Sequence, residues 1–290
     1  MNASQDNLYR DVEFLTSLRP FRNYQQLASL NRVAQYIRQV FEDCGLAVRE
    51  QTWTVGEHTY TNVIGVYNEA KPEVLVVGAH YDVCGDQPGA DDNASAVAGL
   101  LESARLVSKQ KPKLDYRIEF VAYCLEEPPF FGTKQMGSYI HAASLFEAKA
   151  SVLGMICYEM IGYFSDKPNS QTYPSDDLAA RYPSTANFII VVGIEPHRAF
   201  TTKVHRLMSA KAGIDVQVIH FPANHAASGL AGLSDQRNYW TFGYPALMIN
   251  DTSFIRNPHY HEPTDTIDTL DFAKMAAVVS ATCQAIVKFK

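Results

Sequence analysis

Apolar residues recur at two different spacings along the chain, and these spacings predict alternating helices and strands. Residues 23–46 carry an apolar side chain every three or four positions, which predicts a helix with Gly45 at its C-terminal cap. Residues 61–68 predict a strand, and the nearly all-apolar run 73–80 predicts a strand buried on both faces. Further strands are predicted at 116–127, 151–160, 187–193, 215–221 and 245–251, and further helices at 93–109, 134–146, 196–213 and 270–289.

Strands that alternate with helices indicate an α/β fold, in which a mostly parallel sheet is covered by helices on both faces. The sequence contains no internal repeat, low-complexity tract or Gly/Ser linker, so we expect one domain over residues 1–290. Ligands of such open sheets bind beyond the carboxyl ends of the strands. Functional residues are therefore expected where the predicted strands end.

Composition narrows the classes of partner and the cellular location. The net charge is -6 and no basic run occurs, which argues against nucleic acid and an anionic membrane surface as partners. The five cysteines are widely spaced, without a C-x-x-C pair, which favours reduced thiols and a cytoplasmic location. The first residues lack the basic start and apolar run of a secretory signal. No apolar stretch reaches the roughly 18 residues that span a bilayer.

Candidate chemistry begins directly after the strand predicted at 73–80. His80 ends this strand and Asp82 lies two positions further on, so the two side chains point to the same side. A metal-bound imidazole usually donates its other N–H to a carboxylate, and a ligand with its orienting group has this spacing. A polar surface turn has the same spacing, so this pair alone leaves both interpretations open.

Two adjacent acids, Asp91 and Asp92, precede the helix predicted at 93–109. Either Asp92 or Asn93 is expected to cap that helix. One cap needs only one side chain, so a second acid calls for another role. A carboxylate held in a fixed pose at a helix start can bridge two cations.

Two further pairs of residues and one single acid complete the candidate site. Glu126 and Glu127 end the strand 116–127 and are followed by two prolines that stiffen the backbone. Adjacent acids repel each other, so a cation would relieve one and leave the other free as a general base. Glu159 lies among apolar residues, where an unpaired acid is costly to bury. His261 belongs, with His259, to a pair of histidines at spacing two in a loop that contains proline.

The charges of these residues balance if two divalent cations are present. We place His80, Asp92, Glu127, Glu159 and His261 around the two ions. Three carboxylates and a shared hydroxide carry four negative charges, which two divalent ions neutralise. Without cations, repulsion of about 4 kcal/mol between unit charges ~4 Å apart would oppose such convergence. Imidazoles mixed with carboxylates suit zinc, and less often cobalt or manganese. Cys84 and Cys124 are interpreted as packing residues.

The sequence resembles the di-zinc aminopeptidases of metallopeptidase family twenty-eight, a family that also includes glutaminyl cyclases. The resemblance is carried, in order, by "GAHYD", "PGADDNASAVAGLLE", "EFVAYCLEEPPFFGTKQMGS", "YEMIGY", "SDQRNYWTFGYPALMIND" and "NPHYHEPTDT". It implies a three-layer αβα sandwich with a mixed, mostly parallel central sheet. It also implies a hydrolase that removes N-terminal residues from peptides with a free N-terminus.

The resemblance implies a role for each candidate residue. His80, Asp92 and Glu159 would hold one Zn2+, and Asp92 would bridge to a second Zn2+ held by Glu127 and His261, with Co2+ or Mn2+ as substitutes. Glu126 would be the general base and acid, and Asp82 would orient His80. Two positions depart from the family pattern: Glu159 stands where well-known members have Asp, and Gln236 stands where His is frequent.

Three other functions remain open on this sequence. A glutaminyl cyclase on the same scaffold would use one zinc, so counting metal ions distinguishes it from a two-zinc peptidase. A carboxypeptidase would need an arginine clamp, for which Arg237 and Arg256 are available, although both are expected to be structural or solvated. A non-catalytic binding domain should have lost ligands or the base, and none is missing here. The oligomeric state is not encoded in any visible pattern.

Overall fold

The computed structural model describes residues 1–211, 213–225 and 229–290, which form eight strands and eight helices of the α type. The strands are β1 Ala47–Val55, β2 His58–Tyr67, β3 Glu73–His80, β4 Arg117–Tyr123, β5 Ser151–Glu159, β6 Phe188–Ile194, β7 Asp215–Phe221 and β8 Ala246–Asn250. The helices are α1 Gln5–Ser17, α2 Leu27–Asp43, α3 Ala96–Gln110, α4 Gly137–Glu147, α5 Asp176–Ala179, α6 Arg198–Ser209, α7 Gln236–Thr241 and α8 Phe272–Val287.

The sheet is mixed, with parallel strands at its centre. The strand order is β1-β2-β4-β3-β5-β8-β6-β7. The pairs β3–β4, β3–β5, β5–β8 and β6–β7 are parallel, whereas β1–β2, β2–β4 and β6–β8 are antiparallel. The predicted α/β class, with a mixed and mostly parallel sheet, is confirmed.

Helices cover both faces of the sheet, and the side chains of the central strands point alternately into two buried cores. In β3, Leu75 and Val77 face the core built with α1, α2, α3, α6 and α8. Val74 and Val76 face the opposite core, which contains residues of α4 and α7. This arrangement confirms the three-layer αβα sandwich, and it explains why β3 reads as a continuous apolar run rather than an alternating one.

Most predicted elements are present, and two further elements at the N-terminal side were not predicted. Helix α1 buries Leu8, Val12 and Leu15, and strand β1 forms an antiparallel hairpin with β2. β1 is an edge strand whose charged residues face solvent, so its pattern lacks the apolar run of a central strand. The helix predicted at 196–213 spans Arg198–Ser209, and Ala212 of that prediction lies outside the described residues. Gly45 has a φ of 72° just after α2, as its capping role requires.

The predicted cap of helix α3 is wrong. A π-helical turn, Ala90–Ser95, precedes α3, and Ser95 rather than Asp92 or Asn93 occupies the N-cap position. The Asn93 side chain instead accepts a hydrogen bond from the backbone N–H of Met160 at 2.9 Å. The side chains of this turn are therefore directed to β5 and to the end of the sheet, not to the helix.

Parallel pairing brings the carboxyl ends of β3, β4, β5 and β8 to one edge of the sheet. His80 is in register with Tyr123, and Glu159 is in register with Asn250. The acids that follow β4 thus lie beside His80. Among the described residues, no helix is both long and apolar enough to cross a membrane.

Candidate metal centre

Asp92 lies between two histidines that come from distant parts of the chain. Its Oδ1 is 3.5 Å from Nε2 of His80, and its Oδ2 is 3.1 Å from Nε2 of His261. Glu159 Oε2 lies 3.3 Å from the same nitrogen of His80, and Glu127 Oε2 lies 3.4 Å from that of His261. The structure therefore brings together all five side chains predicted as ligands, in two halves that share one carboxylate.

The predicted base and the predicted orienting residue lie in the same cluster. Glu126 Oε2 is 3.8 Å from Nε2 of His80. Asp82 Oδ1 is 3.6 Å from Nδ1 of His80, and the Asp82 carboxylate accepts the backbone N–H groups of Glu126 and Glu127, each at 3.1 Å. Asp82 thus links the end of β3 to the acid pair that follows β4, so it positions more of the site than its spacing indicated.

The carboxylate of Asp265, which was not among the predicted site residues, fixes the orientation of Asp92. The Asp265 side chain accepts the backbone N–H groups of Asp91 at 2.8 Å and of Asp92 at 3.0 Å. Asp91 itself accepts hydrogen bonds from Gly162 and Asn257, at 2.9 and 2.7 Å, and so serves the structure around the site. Asp265 follows the "HEP" that contains His261, and this proximity was the one signal available in the sequence.

The sequence also gave no indication of a role for two residues just before α7. Ser234 donates a hydrogen bond of 2.6 Å to Oε2 of Glu159, which Asn93 also approaches at 3.2 Å. Asp235 is fully buried, and both its carboxylate oxygens lack a hydrogen-bond partner in the described part of the chain. Gln236 donates to the carbonyl of Ala231 at 2.7 Å, so the family-atypical residue is bonded within its own segment.

Burial and a surplus of negative charge together displace the pKa values at the centre. Burial raises the pKa of Glu127 to about 8, with a further contribution from Asp92. Burial also raises the pKa of Glu126 well above its usual range, against the opposing charge of His80. For His261, burial lowers the pKa, but the neighbouring carboxylates of Asp92 and Glu127 outweigh it and raise the pKa to about 10. Divalent cations would neutralise this surplus.

Four buried nitrogen and oxygen atoms of the cluster have no hydrogen-bond partner in the described residues. They are His80 Nδ1, Asp92 Oδ1, Glu127 Oε1 and His261 Nε2. Unpaired buried polar atoms are costly, and these belong to residue types that bind zinc. The ligand-type atoms of His80, Asp92 and Glu127 lie within 4.8 Å of one another, as do those of Cys84, Glu127 and His261. The residues present therefore fit metal ions.

Two pockets open on the cluster. One lies directly over Asp92, Glu126 and Glu127 and is also lined by Phe131. The second is mainly apolar and shares Glu159, Leu233 and Tyr260 with the first. Its cavity volume is about 90 Å³, several times the roughly 10–15 Å³ that one water molecule needs. The second pocket is therefore large enough for a side chain beside the cluster.

The apolar pocket is bordered by a polar segment of the chain and by an aromatic residue near the last motif. The polar segment 164–187 forms one wall, through Tyr173, Pro174, Leu178 and Tyr182, so it adjoins the site. Of the aromatic residues near the motifs, Phe254 lines this pocket, whereas Phe130 packs against Tyr24.

Arg256 packs inside the fold, as expected for a structural arginine. Arg256 is 6% exposed, and it donates hydrogen bonds to Gln171 at 2.8 Å and to the carbonyl of Phe188 at 3.0 Å. These contacts engage its guanidinium inside the fold. Arg237 lies over the ring of Phe131, 4.6 Å from its centroid.

The family model described as Peptidase family M28 matches residues 62–286, most of the chain. The chain belongs to this family of peptidases, which confirms the family resemblance identified from the sequence. A protein of Escherichia coli strain K12, "Uncharacterized protein YfbL", is 42% identical over 287 residues, which are 96% of this chain and 86% of that one. A "Probable leucine aminopeptidase 1" of Trichophyton verrucosum is 26% identical over 291 residues, 94% of this chain and 70% of that one.

Solved structures share the fold at lower identity. The LapA aminopeptidase of Legionella pneumophila has a TM-score of 0.77 and 22% identity, over 98% of this chain and 72% of that one. The glutaminyl cyclase of Porphyromonas gingivalis has a TM-score of 0.76 and 18% identity, over the full length of both chains. Because one fold carries both activities, the fold does not choose between them.

Proposed function

We propose that this protein is a zinc-dependent aminopeptidase with a dinuclear zinc centre, which removes N-terminal residues from peptides. The observation that carries the proposal is the position of Asp92, whose two carboxylate oxygens face two different histidines, 3.5 and 3.1 Å away. One zinc would be held by His80, Asp92 and Glu159, and the other by Asp92, Glu127 and His261. Co2+ or Mn2+ could replace zinc.

Bound zinc ions would supply Lewis acidity, polarising the scissile carbonyl and lowering the pKa of a water molecule. The residues of the chain would provide the rest of the chemistry. Glu126 is 5% exposed and lies beside His80, where its carboxylate would take a proton from the attacking water at Oε2 and return it to the leaving amine. Asp82 would hold this base in place through the backbone N–H of Glu126.

The two pockets support a substrate with a free N-terminus and an apolar first side chain. The carboxylates of the first pocket would attract an ammonium group. The second pocket would receive the first side chain, since Ile190, Val192 and Met248 line it beyond Glu159. The relatives named leucine aminopeptidases support the same preference.

The test of this proposal is the Glu126→Gln substitution in zinc-loaded protein. We expect turnover of leucyl-anilide to fall by at least roughly 10²–10⁴-fold, the contribution of a general base. Zinc content and the thermal unfolding midpoint should stay unchanged, because Glu126 is not one of the proposed ligands. Glu57→Gln, an exposed position in the β1–β2 turn, is the matched control. Near-normal turnover by Glu126→Gln would refute the assigned base.

A single-zinc glutaminyl cyclase is the second candidate, because glutaminyl cyclases have the same fold over the full chain. Elemental analysis separates the two functions: two zinc ions per chain support the peptidase, and one tightly held ion supports the cyclase. Product analysis with a glutaminyl peptide gives the same decision, since only a cyclase leaves a pyroglutamyl end. A non-catalytic domain would give no turnover of any aminoacyl-anilide.

A further inference from the structure

Cys84 lies beside one half of the metal centre, although its place in the sequence indicated only packing. Its Sγ, a carboxylate oxygen of Glu127 and a ring nitrogen of His261 all lie within 4.8 Å of one another. Cys84 is half-buried and is not in a disulfide. The thiol therefore faces two of the three side chains to which we assign the second zinc.

An independent observation at this position points to a ligand. Glu127 is 4% exposed, and its Oε1 has no hydrogen-bond partner among the residues that the structure describes. The Nε2 atom of His261 is likewise without a hydrogen bond in that part of the chain. A thiol sulfur therefore lies within 4.8 Å of ligand atoms from two residues that each have an unpartnered atom, and the three residue types have the chemistry of a zinc site.

The backbone on both sides of Cys84 is held by the segment that precedes α2. The N–H of Val83 donates to the carbonyl of Arg22 at 3.3 Å, and the Asn23 side chain donates to the carbonyl of Gly85 at 2.8 Å. Arg22 is fully buried and donates to the carbonyls of Tyr81 at 2.9 Å and of Gly89 at 2.7 Å. The loop is thus clamped at its start, middle and end, and the thiol is presented in one place.

We propose that Cys84 is a thiolate ligand of the metal position formed by Asp92, Glu127 and His261. The inference rests on the proposed dinuclear function and deepens it. On binding, the sulfur–metal bond forms as the thiol proton leaves to solvent, and no oxidant or reductant is needed. A sulfur ligand makes this position softer than an all-carboxylate and imidazole set, so it favours zinc and cobalt over manganese.

Cobalt substitution tests the proposal through a signal that does not depend on catalysis. In wild-type protein loaded with two equivalents of Co2+, we expect a thiolate-to-cobalt charge-transfer band in the near ultraviolet. The band should be absent in Cys84→Ser and unchanged in the control Cys44→Ser, a half-buried thiol at the end of α2. In a competition between Zn2+ and Mn2+, Cys84→Ser should lose at least roughly tenfold of the preference for zinc.

The outcomes separate this inference from the proposed function. Two bound cobalt ions without the charge-transfer band in the wild type would overturn the role of Cys84 and leave the dinuclear centre standing. A single bound ion, or none, would overturn both. A missing band in the wild type refutes the role of Cys84 without any variant, and a band that Cys84→Ser retains refutes it as well.

Discussion

At the scale of single residues, the site depends on carboxylates held by backbone N–H groups. Asp82 accepts the N–H groups of Glu126 and Glu127, and Asp265 accepts those of Asp91 and Asp92. Each of these acids therefore fixes the direction of a neighbouring acid that faces the centre. Such supporting groups contribute to metal affinity because they fix ligand orientation in advance.

The Asp265→Asn substitution tests this support. The amide side chain can accept only at its oxygen, and its NH2 group would face one of the two N–H donors of Asp91 and Asp92. We expect zinc affinity and turnover to fall by roughly 10–100-fold, while Asp268→Asn, an exposed neighbour, changes neither. Calorimetric titration of zinc into the metal-free variants measures the effect. Wild-type affinity in Asp265→Asn would show that Asp92 keeps its pose without this brace.

At the scale of elements, a series of contacts between buried polar side chains connects α4 and α7 to the sheet. These two helices lie on the face opposite α2, α3 and α8. Glu119 of β4 lies 3.3 Å from Nε2 of His141 on α4, and Nδ1 of His141 lies 2.6 Å from the hydroxyl of Tyr239 on α7. The Tyr239 hydroxyl is in turn 2.7 Å from that of Tyr123, at the end of β4. These contacts fix α7, and so the Ser234 and Asp235 that precede it.

The pH dependence of protein stability should reveal the contribution of Glu119 to these contacts. Burial alone would raise the pKa of Glu119, but His141 and Arg117 outweigh it and lower the pKa to about 2. A carboxyl whose pKa is lower in the folded state stabilises the fold above its unfolded pKa of about 4.3, and that stability is lost as the pH falls. Glu119→Gln should therefore flatten the fall in unfolding free energy below about pH 4.3, and should lower stability by about 1–3 kcal/mol at neutral pH.

Urea unfolding at several pH values measures this effect. Glu147→Gln, an exposed residue at the end of α4, is the control and should stay within about 0.5 kcal/mol of wild type. An acid dependence in Glu119→Gln as steep as that of the wild type would exclude Glu119 as its source.

At the scale of the whole molecule, the fold concentrates acidic side chains at one edge of its sheet, and the proposed metal centre predicts that stability depends on cations there. The pKa of Glu127 is raised by burial to about 8, so its protonated form is favoured in the folded, metal-free protein. The pKa of His261 is raised to about 10. A group whose folded pKa is raised contributes stability at low pH, and this contribution disappears as the pH rises through the folded value.

Metal removal should reveal this dependence. We expect protein stripped by a chelator to lose stability steadily from about pH 5 to 8, and zinc to restore it by about 3 kcal/mol at a free concentration of about 100 times its Kd. Thermal unfolding of the metal-free and zinc-loaded forms across this pH range is the measurement. If the two forms melt alike at every pH, the acids do not converge on bound cations.

The sequence by itself determined the layers of the fold and which candidate ligands meet at one edge of the sheet. Central strands such as β3 are buried on both faces, so their composition reveals them locally, and polar residues at their ends stand out against it. Parallel pairing then requires His80 and Glu159 to meet at one edge of the sheet. Where a strand lies at the edge, as β1 does, the local pattern is weak and the prediction failed.

Only the tertiary structure decided which groups support the ligands and what surrounds them. Asp265 meets Asp92 across 173 positions of sequence, and Ser234 meets Glu159 across 75. No periodicity or spacing reports such contacts, because they arise when separate loops fold over the same sheet edge. The sulfur of Cys84 beside Glu127 and the apolar pocket next to Glu159 have the same origin: both are products of chain packing, not of any segment's own pattern.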